Sequence, residues 1–267
     1  MERNTKILAL VGKGGVGKTT ICSAFVRILS EKYPKARILA IDADPAVGLA
    51  TALCVTPGVT LDDLRREIIE KAAAGAGKEA VELLGEVRYR IFDALTETER
   101  FAFLAIGRPE GAGCYCAVNS YLKEVIEMIS RDFDFVVIDG EAGIEQVNRR
   151  VMEKVTHLFL VTDGSKKGLK VIETIHHVAD ELVAYDRCGV IINRVDDLEM
   201  IHAMIGTDQE GKVYLPGTDF TGMEILSVIS SDPEHARNDV LGKSIFELSA
   251  DAPVCKGAKA ALDQMGL

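Results

Sequence analysis

The sequence predicts an α/β fold in which a mainly parallel β-sheet lies between layers of helices. Apolar segments typical of buried strands alternate with helical patterns, at 6–11, 37–41, 134–138, 156–162 and 188–193, with a weaker candidate at 213–215. Because these strands are apolar along nearly their whole length, helices should cover both faces of the sheet. In such sheets, ligands bind at the carboxyl ends of the strands.

Length and composition favour one large domain over two. The chain has 267 residues, 48% of them apolar, which is enough to bury a sizeable core. We therefore expect a single domain over 1–267, with an insertion at about 71–113 that interrupts the βα alternation. Within the insertion, 87–94 and 101–106 are predicted to pair as a hairpin around the polar turn 96–100.

Charge and hydropathy disfavour several classes of partner. A formal net charge of −10 argues against non-specific binding to nucleic acid, which depends on Lys and Arg. The sequence has no secretion-signal pattern, and no apolar run approaches the roughly 20 residues of a membrane span. We expect a cytoplasmic protein without nucleic-acid or membrane partners, whose six cysteines are thiols or metal ligands and not disulfides.

A phosphate-binding loop follows the first predicted strand. The motif G-x-x-x-x-G-K-[ST] is met by Gly12, Gly17, Lys18 and Thr19, and a helical pattern continues from Thr20. Glycines let backbone N–H groups converge on an anion at the start of a helix. Because this loop joins a predicted strand to a predicted helix in an alternating α/β pattern, the predicted fold is the three-layer α/β/α fold of P-loop NTPases. Lys18 should reach the β- and γ-phosphates, and Thr19 should ligate Mg²⁺. The predicted nucleotide-binding residues are Gly12, Gly14, Gly15, Val16, Gly17, Lys18, Thr19 and Thr20.

Two carboxylates, Asp42 and Asp44, end the second predicted strand. Phosphoryl transfer needs Mg²⁺ and an oriented water, and acidic side chains at this edge of the sheet could serve both. The alternative is that they only cap the following helix.

Cys114 and Cys116 form a C-x-C pair after the glycine-rich end of the insertion. Two thiolates at this spacing can bind one soft or borderline metal ion, but Zn²⁺ and Ni²⁺ sites usually need four ligands. A symmetric homodimer with the pair near its axis would supply the other two. Redox-active or simply packed cysteines remain the alternative.

The third predicted nucleotide motif is Asp139 at the end of the strand 134–138, followed by Gly143. The carboxylate could hold Mg²⁺ through water. Gly143 could offer its N–H to the γ-phosphate and change conformation with the nucleotide state, as a switch residue does.

Asn193 ends the strand 188–193, where an amide could bind the edge of a base. The local sequence does not choose between adenine and guanine, because Asn193-Arg194-Val195-Asp196 is one residue away from the guanine-selecting N-K-x-D box. A plain strand-end cap is also compatible. Further along the chain, Ala258–Met265 is predicted to form a packing helix without the basic face of a membrane-surface helix.

With Lys13, the loop reads KGGVGKT and resembles the deviant Walker A motif of the nitrogenase iron protein, Min/Par and metallochaperone ATPases. That resemblance implies ATP and a homodimer, because the extra lysine in this superfamily reaches the partner's nucleotide. It implies a catalytic role for Lys13 and Lys18, a water-positioning role for Asp44, and a Mg²⁺-shell role for Asp42. It also implies that Asn193 contacts adenine.

The order of motifs further resembles CooC-type nickel-insertion ATPases, which mature carbon monoxide dehydrogenase. The phosphate loop, D-x-D-P, the insertion, G-C-Y-C and D-x-x-A-G-I-E occur in that order, the last from Asp139. The resemblance implies a dimeric metallochaperone that binds one Ni²⁺ or Zn²⁺ through Cys114 and Cys116 of both protomers, driven by Mg²⁺-dependent hydrolysis of ATP to ADP. A Min/Par-type positioning ATPase, which binds membrane or DNA, is the competing hypothesis.

Overall fold

An eight-stranded sheet forms the centre of the computed structural model, which describes residues 5–44, 46–73, 90–107, 123–124, 126–140, 154–207, 213–214 and 223–267. Its strand order is β10-β7-β6-β1-β5-β2-β4-β3. Each neighbouring pair is parallel except β3 and β4. The strands are β1 Lys6–Gly12, β2 Ile38–Asp42, β3 Thr96–Glu97, β4 Ala102–Ala105, β5 Phe135–Asp139, β6 His157–Asp163, β7 Arg187–Val195 and β10 Glu224–Ser230, and a separate small hairpin pairs β8 Gly206–Thr207 with β9 Val213–Tyr214.

Helices cover both faces of this sheet. They include α1 Lys18–Lys32, α2 Gly48–Leu53, α3 Leu61–Ala73, α4 Lys166–Leu182, α5 Leu198–Met204, α6 Pro233–Val240 and α7 Pro253–Gln264, with a 3₁₀ turn at Ile245–Glu247; residues 90–94 and 126–130 are also helical. Alternate residues of β1 enter two different cores. Leu8 packs with α1 and α7 on one face, whereas Ala9 packs with α4 on the other. The three-layer α/β/α prediction is therefore confirmed.

The central predicted strands are observed within two residues of their predicted bounds, but the hairpin prediction is wrong. The segment 101–106 contributes β4, which pairs in parallel with β2 inside the main sheet. Its antiparallel neighbour is the two-residue strand β3, and 90–94 is helical. Fully buried β4 gains more by extending the sheet than an isolated hairpin could gain. Most of the rest of the insertion at 71–113 lies outside the described residues.

The sequence analysis also missed β10, an edge strand. Polar residues interrupt its apolar pattern, and its register with β7 shifts between Ile225 and Ser227. Such irregularity is common at sheet edges and weakens the periodic signal that predicts a strand. The weak candidate at 213–215 corresponds to β9, which lies outside the main sheet.

The C-terminal helix α7 packs against β10 and α1, as a packing helix should. It begins at Pro253, earlier than predicted, and buries Val254, Ala258 and Leu262. Gly257 allows the close approach, because a Cβ at this position would lie 2.3 Å from Cγ1 of Ile229. No helix among the described residues is long and apolar enough to cross a membrane.

A buried arginine joins α1 to the 3₁₀ turn that precedes α7. One terminal nitrogen of Arg27 donates to the carbonyls of Ile245 at 2.8 Å and Leu248 at 2.7 Å. Its Nε donates to Glu31 at 2.9 Å. Because the side chain is only 8% exposed, these bonds satisfy a charge that would otherwise be buried without partners.

Candidate nucleotide-binding site

Five parallel strands bring the predicted site residues to one edge of the sheet. Leu10 of β1 is in register with Asp139 of β5, which is also in register with Asp42 of β2. On the other side of β1, Asp163 of β6 lies opposite Asn193 of β7. The phosphate loop leaves β1 between these two groups, so the topology assembles one site from residues far apart in sequence.

The phosphate loop has the backbone that its glycines predict. Gly15 and Gly17 have φ values of 79° and 91°, and Gly17 is the N-terminal cap of α1. At these φ values an L side chain would be strained. Moreover, a Cβ on Gly17 would lie 2.5 Å from Nδ2 of Asn193. Lys18 is largely buried and its Nζ donates to the carbonyl of Lys13 at 3.2 Å, which folds the lysine back over the loop.

A cavity of about 620 Å³ opens next to the loop. Several predicted nucleotide residues line it, together with Asp44, Arg194 and the region of α6; the predicted ones are Gly14, Gly15, Gly17, Lys18, Thr19 and Thr20. Gly12 lies at the end of β1, and Val16 is buried beneath the loop, so both support the site from below. The volume is within the range of small-molecule sites.

Asp42 is completely buried and makes capping contacts. Its Oδ2 accepts a hydrogen bond from the N–H of Leu49 at 2.8 Å, at the start of α2, and its Oδ1 accepts one from the N–H of Asp44 at 3.1 Å. Burial raises the pKa of Asp42 to about 6, although these backbone N–H groups oppose the shift. Asp44 accepts from the N–H of Ala46 at 2.8 Å and lines the cavity. Asp42 and Asp44 thus both accept backbone hydrogen bonds around the start of α2, as the capping alternative predicts.

Asp139 differs from Asp42 because no backbone N–H among the described residues donates to its carboxylate. The residue is 1% exposed, and both carboxylate oxygens lack a hydrogen-bond partner among the described residues. Burial raises its pKa to about 7, while the nearby Thr19 hydroxyl and Lys18 ammonium lower it in part. Such a buried carboxylate, beside a hydroxyl and near a second carboxylate, fits the all-oxygen donor set that Mg²⁺ prefers.

Lys13 is paired within its own chain. Its Nζ lies 3.1 Å from Oδ2 of Asp163, and both side chains are about one-third exposed. Asp163 also accepts hydrogen bonds from the hydroxyl and N–H of Ser165, just before α4. The sequence analysis missed Asp163. Its signal was that it follows a predicted apolar strand, as Asp42 and Asp139 do.

Asn193 and Arg194 brace the phosphate loop from β7. Nδ2 of Asn193 donates to the carbonyl of Val16 at 2.8 Å, and a terminal nitrogen of Arg194 donates to the carbonyl of Gly15 at 2.6 Å. Arg194 adopts a φ of 57°, which is uncommon for a residue other than glycine. The contact of Asn193 is structural, and it uses one of two N–H groups of the amide. Base recognition by Asn193 stays a prediction.

A second residue that the sequence analysis missed is His235 of α6, which lines the cavity. Its Nε2 lies 3.2 Å from Oγ1 of Thr20. No sequence signal pointed to it, because the preceding strand β10 was not recognised.

Comparison with known proteins identifies the family. Residues 7–245 match the family model described as the CobQ/CobB/MinD/ParA nucleotide binding domain. The chain belongs to this family. The match spans the phosphate loop, the strands of the main sheet from residue 7 onward, and α6, so the residues that line the cavity next to the loop, apart from Leu248, fall within the matched domain.

Individual relatives agree with that placement. The chain is 40% identical over 193 residues to an uncharacterized ATP-binding protein of Methanocaldococcus jannaschii, covering 71% of this chain and 74% of that protein. It is 29% identical over 219 residues to the carbon monoxide dehydrogenase accessory protein CooC of Rhodospirillum rubrum, covering 73% and 81%. The septum site-determining protein MinD of Pyrococcus horikoshii, solved with Mg-ADP, superposes with a TM-score of 0.65 at 21% identity, covering 98% and 96%. At this identity the superposition establishes the shared fold.

Three predicted site residues of this MinD/ParA-family chain, Cys114, Cys116 and Gly143, lie outside the described residues. Among the described residues, no group of three or more His, Cys, Asp or Glu side chains could hold a metal ion. The four described cysteines behave as core or incidental residues, since Cys22 and Cys255 are buried, Cys188 is partly buried and Cys54 is exposed.

Proposed function

We propose that this chain is a Mg²⁺-dependent ATPase that acts as a homodimer and inserts nickel into carbon monoxide dehydrogenase or a related nickel enzyme. The observation that carries the ATPase part is the buried carboxylate of Asp139, which has no hydrogen-bond partner among the described residues and lies in register with Leu10 of β1, just before the phosphate loop. The nickel part is supported by the C-x-C pair together with the likeness to CooC over most of both chains.

The described residues divide the work of ATP hydrolysis. Lys18 and the loop N–H groups would bind the phosphates, and Thr19, Asp42 and Asp139 would hold Mg²⁺. When bound, Mg²⁺ neutralises charge on the phosphates that separate during phosphoryl transfer. Asp44, which lines the cavity, would orient the attacking water.

A variant of Asp44 tests this assignment. We expect Asp44→Asn to lower kcat for phosphate release by roughly 10²-fold or more, because the amide cannot accept a proton from water. The Kd for Mg-ADP should change little, since the backbone contact to Ala46 needs only an oxygen acceptor. Phosphate release and calorimetric titration measure the two effects, and an unchanged kcat would remove Asp44 from the mechanism.

The homodimer would combine two incomplete sites. Lys13 would leave Asp163 to reach the nucleotide of the partner protomer, and Gly143 would respond to the γ-phosphate. Cys114 and Cys116 of each protomer would together hold one Ni²⁺ or Zn²⁺ ion as cargo. Hydrolysis would then reopen the dimer and release the metal to the client enzyme in the cytoplasm.

Metal stoichiometry tests the cargo site. The wild-type dimer should bind one Ni²⁺, and the double variant Cys114→Ala/Cys116→Ala should bind none. Cys54→Ala is the matched control, because Cys54 is an exposed cysteine elsewhere on the chain and its loss should leave stoichiometry unchanged. One metal ion per dimer in the double variant would refute the site.

A Min/Par-type positioning ATPase is the second candidate, supported by the family match and by the shared fold with MinD. It predicts ATP-dependent binding to membrane or DNA, which the net charge of −10 disfavours. Co-sedimentation with anionic vesicles or with DNA, with and without ATP, separates the two functions. Binding in either assay, without nickel binding, would favour this candidate.

A further inference from the structure

His235 reaches the phosphate-loop helix from the far side of the nucleotide cavity. Its Nε2 lies 3.2 Å from Oγ1 of Thr20, and both residues line the cavity. Thr20 follows Lys18 and Thr19 in the first turn of α1, where backbone N–H groups and hydroxyls favour bound anions. The imidazole is therefore within hydrogen-bonding distance of a group that faces the phosphate site.

The backbone holds His235 in this place. The carboxylate of Asp232 accepts a hydrogen bond from the N–H of His235 at 2.9 Å and so caps α6, and Pro233 occupies the first turn. The preceding residue, Ser231, donates from its hydroxyl to Asp196 at 2.5 Å and from its N–H to the carbonyl of Val195 at 3.0 Å. The start of α6 is thus tied to the end of β7, next to the residues that brace the phosphate loop.

The packing of α6 does not explain this arrangement. All eight residues of α6 are described and none is buried; its last residue, Val240, is 87% exposed. The hydrogen bond between His235 and Thr20 is a side-chain contact between α6 and the phosphate-loop helix. Because α6 buries so little apolar surface, its position depends more on polar contacts such as this one.

We propose that His235 is a ligand of the nucleotide's phosphate chain: its Nε2–H, now 3.2 Å from Oγ1 of Thr20, would turn from that hydroxyl to donate to a phosphate oxygen. Three cationic side chains also line the cavity, those of Lys18, Arg194 and Lys243, and they outnumber its two carboxylates, Asp44 and Asp239, as suits a site for an anion. Bound nucleotide would then join α6 to α1 through the imidazole. This inference rests on nucleotide binding by the family, and it does not depend on nickel or on a client enzyme.

The competing explanation is that His235 only holds α6 in place. Both explanations predict weaker nucleotide binding when the imidazole is removed, so affinity alone does not distinguish them. The environment of the phosphorus atoms does, because a direct hydrogen bond changes the resonance of the phosphate that accepts it.

The experiment compares four proteins by calorimetry and by ³¹P NMR with Mg-ADP: wild type, His235→Ala, His235→Gln and Arg237→Gln. Arg237 is an exposed basic residue on the same helix that does not line the cavity, so it is the matched control. We expect His235→Ala to weaken Mg-ADP binding by roughly 10- to 100-fold, the range for a hydrogen bond to a charged group. His235→Gln, which keeps an N–H donor, should recover part of the loss, and Arg237→Gln should stay within twofold of wild type.

In the NMR measurement, one phosphorus resonance of bound ADP should move in His235→Ala and not in Arg237→Gln. Mg-ADP affinity within twofold of wild type in His235→Ala would overturn the proposal. So would weakened binding with both phosphorus resonances unmoved, since His235 would then act only by holding α6. Melting curves of the nucleotide-free variants confirm that each is folded. Failure of the nickel or client experiments would leave these results unaffected.

Discussion

At the scale of single residues, the buried carboxylate of Asp139 lowers the stability of the protein at a position where a ligand could bind it. A buried carboxylate without hydrogen-bond partners among the described residues destabilises the nucleotide-free protein, and its pKa of about 7 expresses the same penalty. Proteins keep such groups where a ligand compensates the charge. In the proposed function, the compensating ligand would be Mg²⁺ bound with a nucleotide.

Asp139→Asn should therefore raise the stability of the nucleotide-free protein at pH 8. We expect a gain on the order of 1–3 kcal/mol in the free energy of unfolding, because the amide carries no charge to desolvate. The extra stability that Mg-ADP gives to the wild type over ADP in EDTA should disappear in the variant. Urea unfolding under the three conditions measures both effects. A destabilised apo variant would contradict this account.

His157 predicts a separate dependence of stability on pH. The side chain at the start of β6 is 5% exposed, and burial lowers its pKa below the usual 6.5, with Lys6 adding to the effect. The unfolded chain therefore binds a proton at higher pH than the folded chain does. The stability associated with neutral His157 is complete above pH 6.5 and is lost as the pH falls toward the lower folded pKa.

The matching variant is His157→Gln, which cannot titrate. As the pH falls below about 6.5, the ordinary pKa of histidine, the free energy of unfolding of the wild type should fall relative to that of the variant. His202→Gln, at an exposed position of α5, is the control and should run parallel to wild type. A constant difference between wild type and His157→Gln from about pH 8 to about pH 5 would be incompatible with this explanation.

At the scale of elements, Arg27 links the first helix of the chain to the last. Its terminal nitrogen satisfies two carbonyls around the 3₁₀ turn that precedes α7. Arg27→Met would keep most of the packing, but it would remove the donor to the carbonyl of Leu248 and leave that of Ile245 with only the N–H of Leu248 at 3.3 Å, so we expect a loss of about 2–4 kcal/mol in the free energy of unfolding. Arg237→Met, on exposed α6, should change it by less than about 0.5 kcal/mol. Denaturant titration decides, and equal effects would exclude a structural role for Arg27.

Elements also show where sequence patterns fail. The segment 101–106 has the same apolar pattern in a hairpin as in a parallel sheet, and only the tertiary pairing with β2 decides between them. The edge strand β10 has polar residues at Ser227 and Ser230 and an irregular register, so it lacks the continuous apolar run of the central strands. Without β10, the position of α6 and of His235 at the cavity could not be inferred.

At the scale of the whole molecule, the central strands are predictable because both their faces are buried. Since parallel strands end at a common edge, the apolar pattern alone also places Asp42, Asp139 and Asn193 together. Which side chains form hydrogen bonds or ion pairs with each other is less predictable. Lys13 pairs with Asp163 and Asn193 binds the loop backbone, contacts that depend on three-dimensional proximity and have no local signature.

In the proposed homodimer, Asp163 would affect assembly, because its pair with Lys13 would have to break before the lysine could reach the partner protomer. Asp163→Asn keeps an oxygen acceptor for Ser165 and removes the charge that holds Lys13. A partly exposed ion pair contributes about 0.2–1 kcal/mol, so ATP-dependent dimerisation should tighten by up to about fivefold. Asp186→Asn, which removes an exposed partner of Lys154, is the control. Sedimentation velocity measures the dimer Kd. Weaker dimerisation in Asp163→Asn would show that the pair of Asp163 with Lys13 does not oppose dimerisation.

The position of β1 in the middle of the sheet places two chemically different groups of residues on either side of the phosphate loop. On the β5 and β2 side stand the carboxylates Asp139 and Asp42, and on the β7 side stand Asn193 and Arg194, which donate hydrogen bonds to the loop. In the proposed function, a nucleotide in this cleft would have a metal-facing flank and a donor-facing flank. Changes on the first should alter the response to Mg²⁺, and changes on the second should alter affinity even in its absence. Because β1 lies between the two flanks, substitutions could change the Mg²⁺ dependence of nucleotide binding and the Mg²⁺-independent affinity separately.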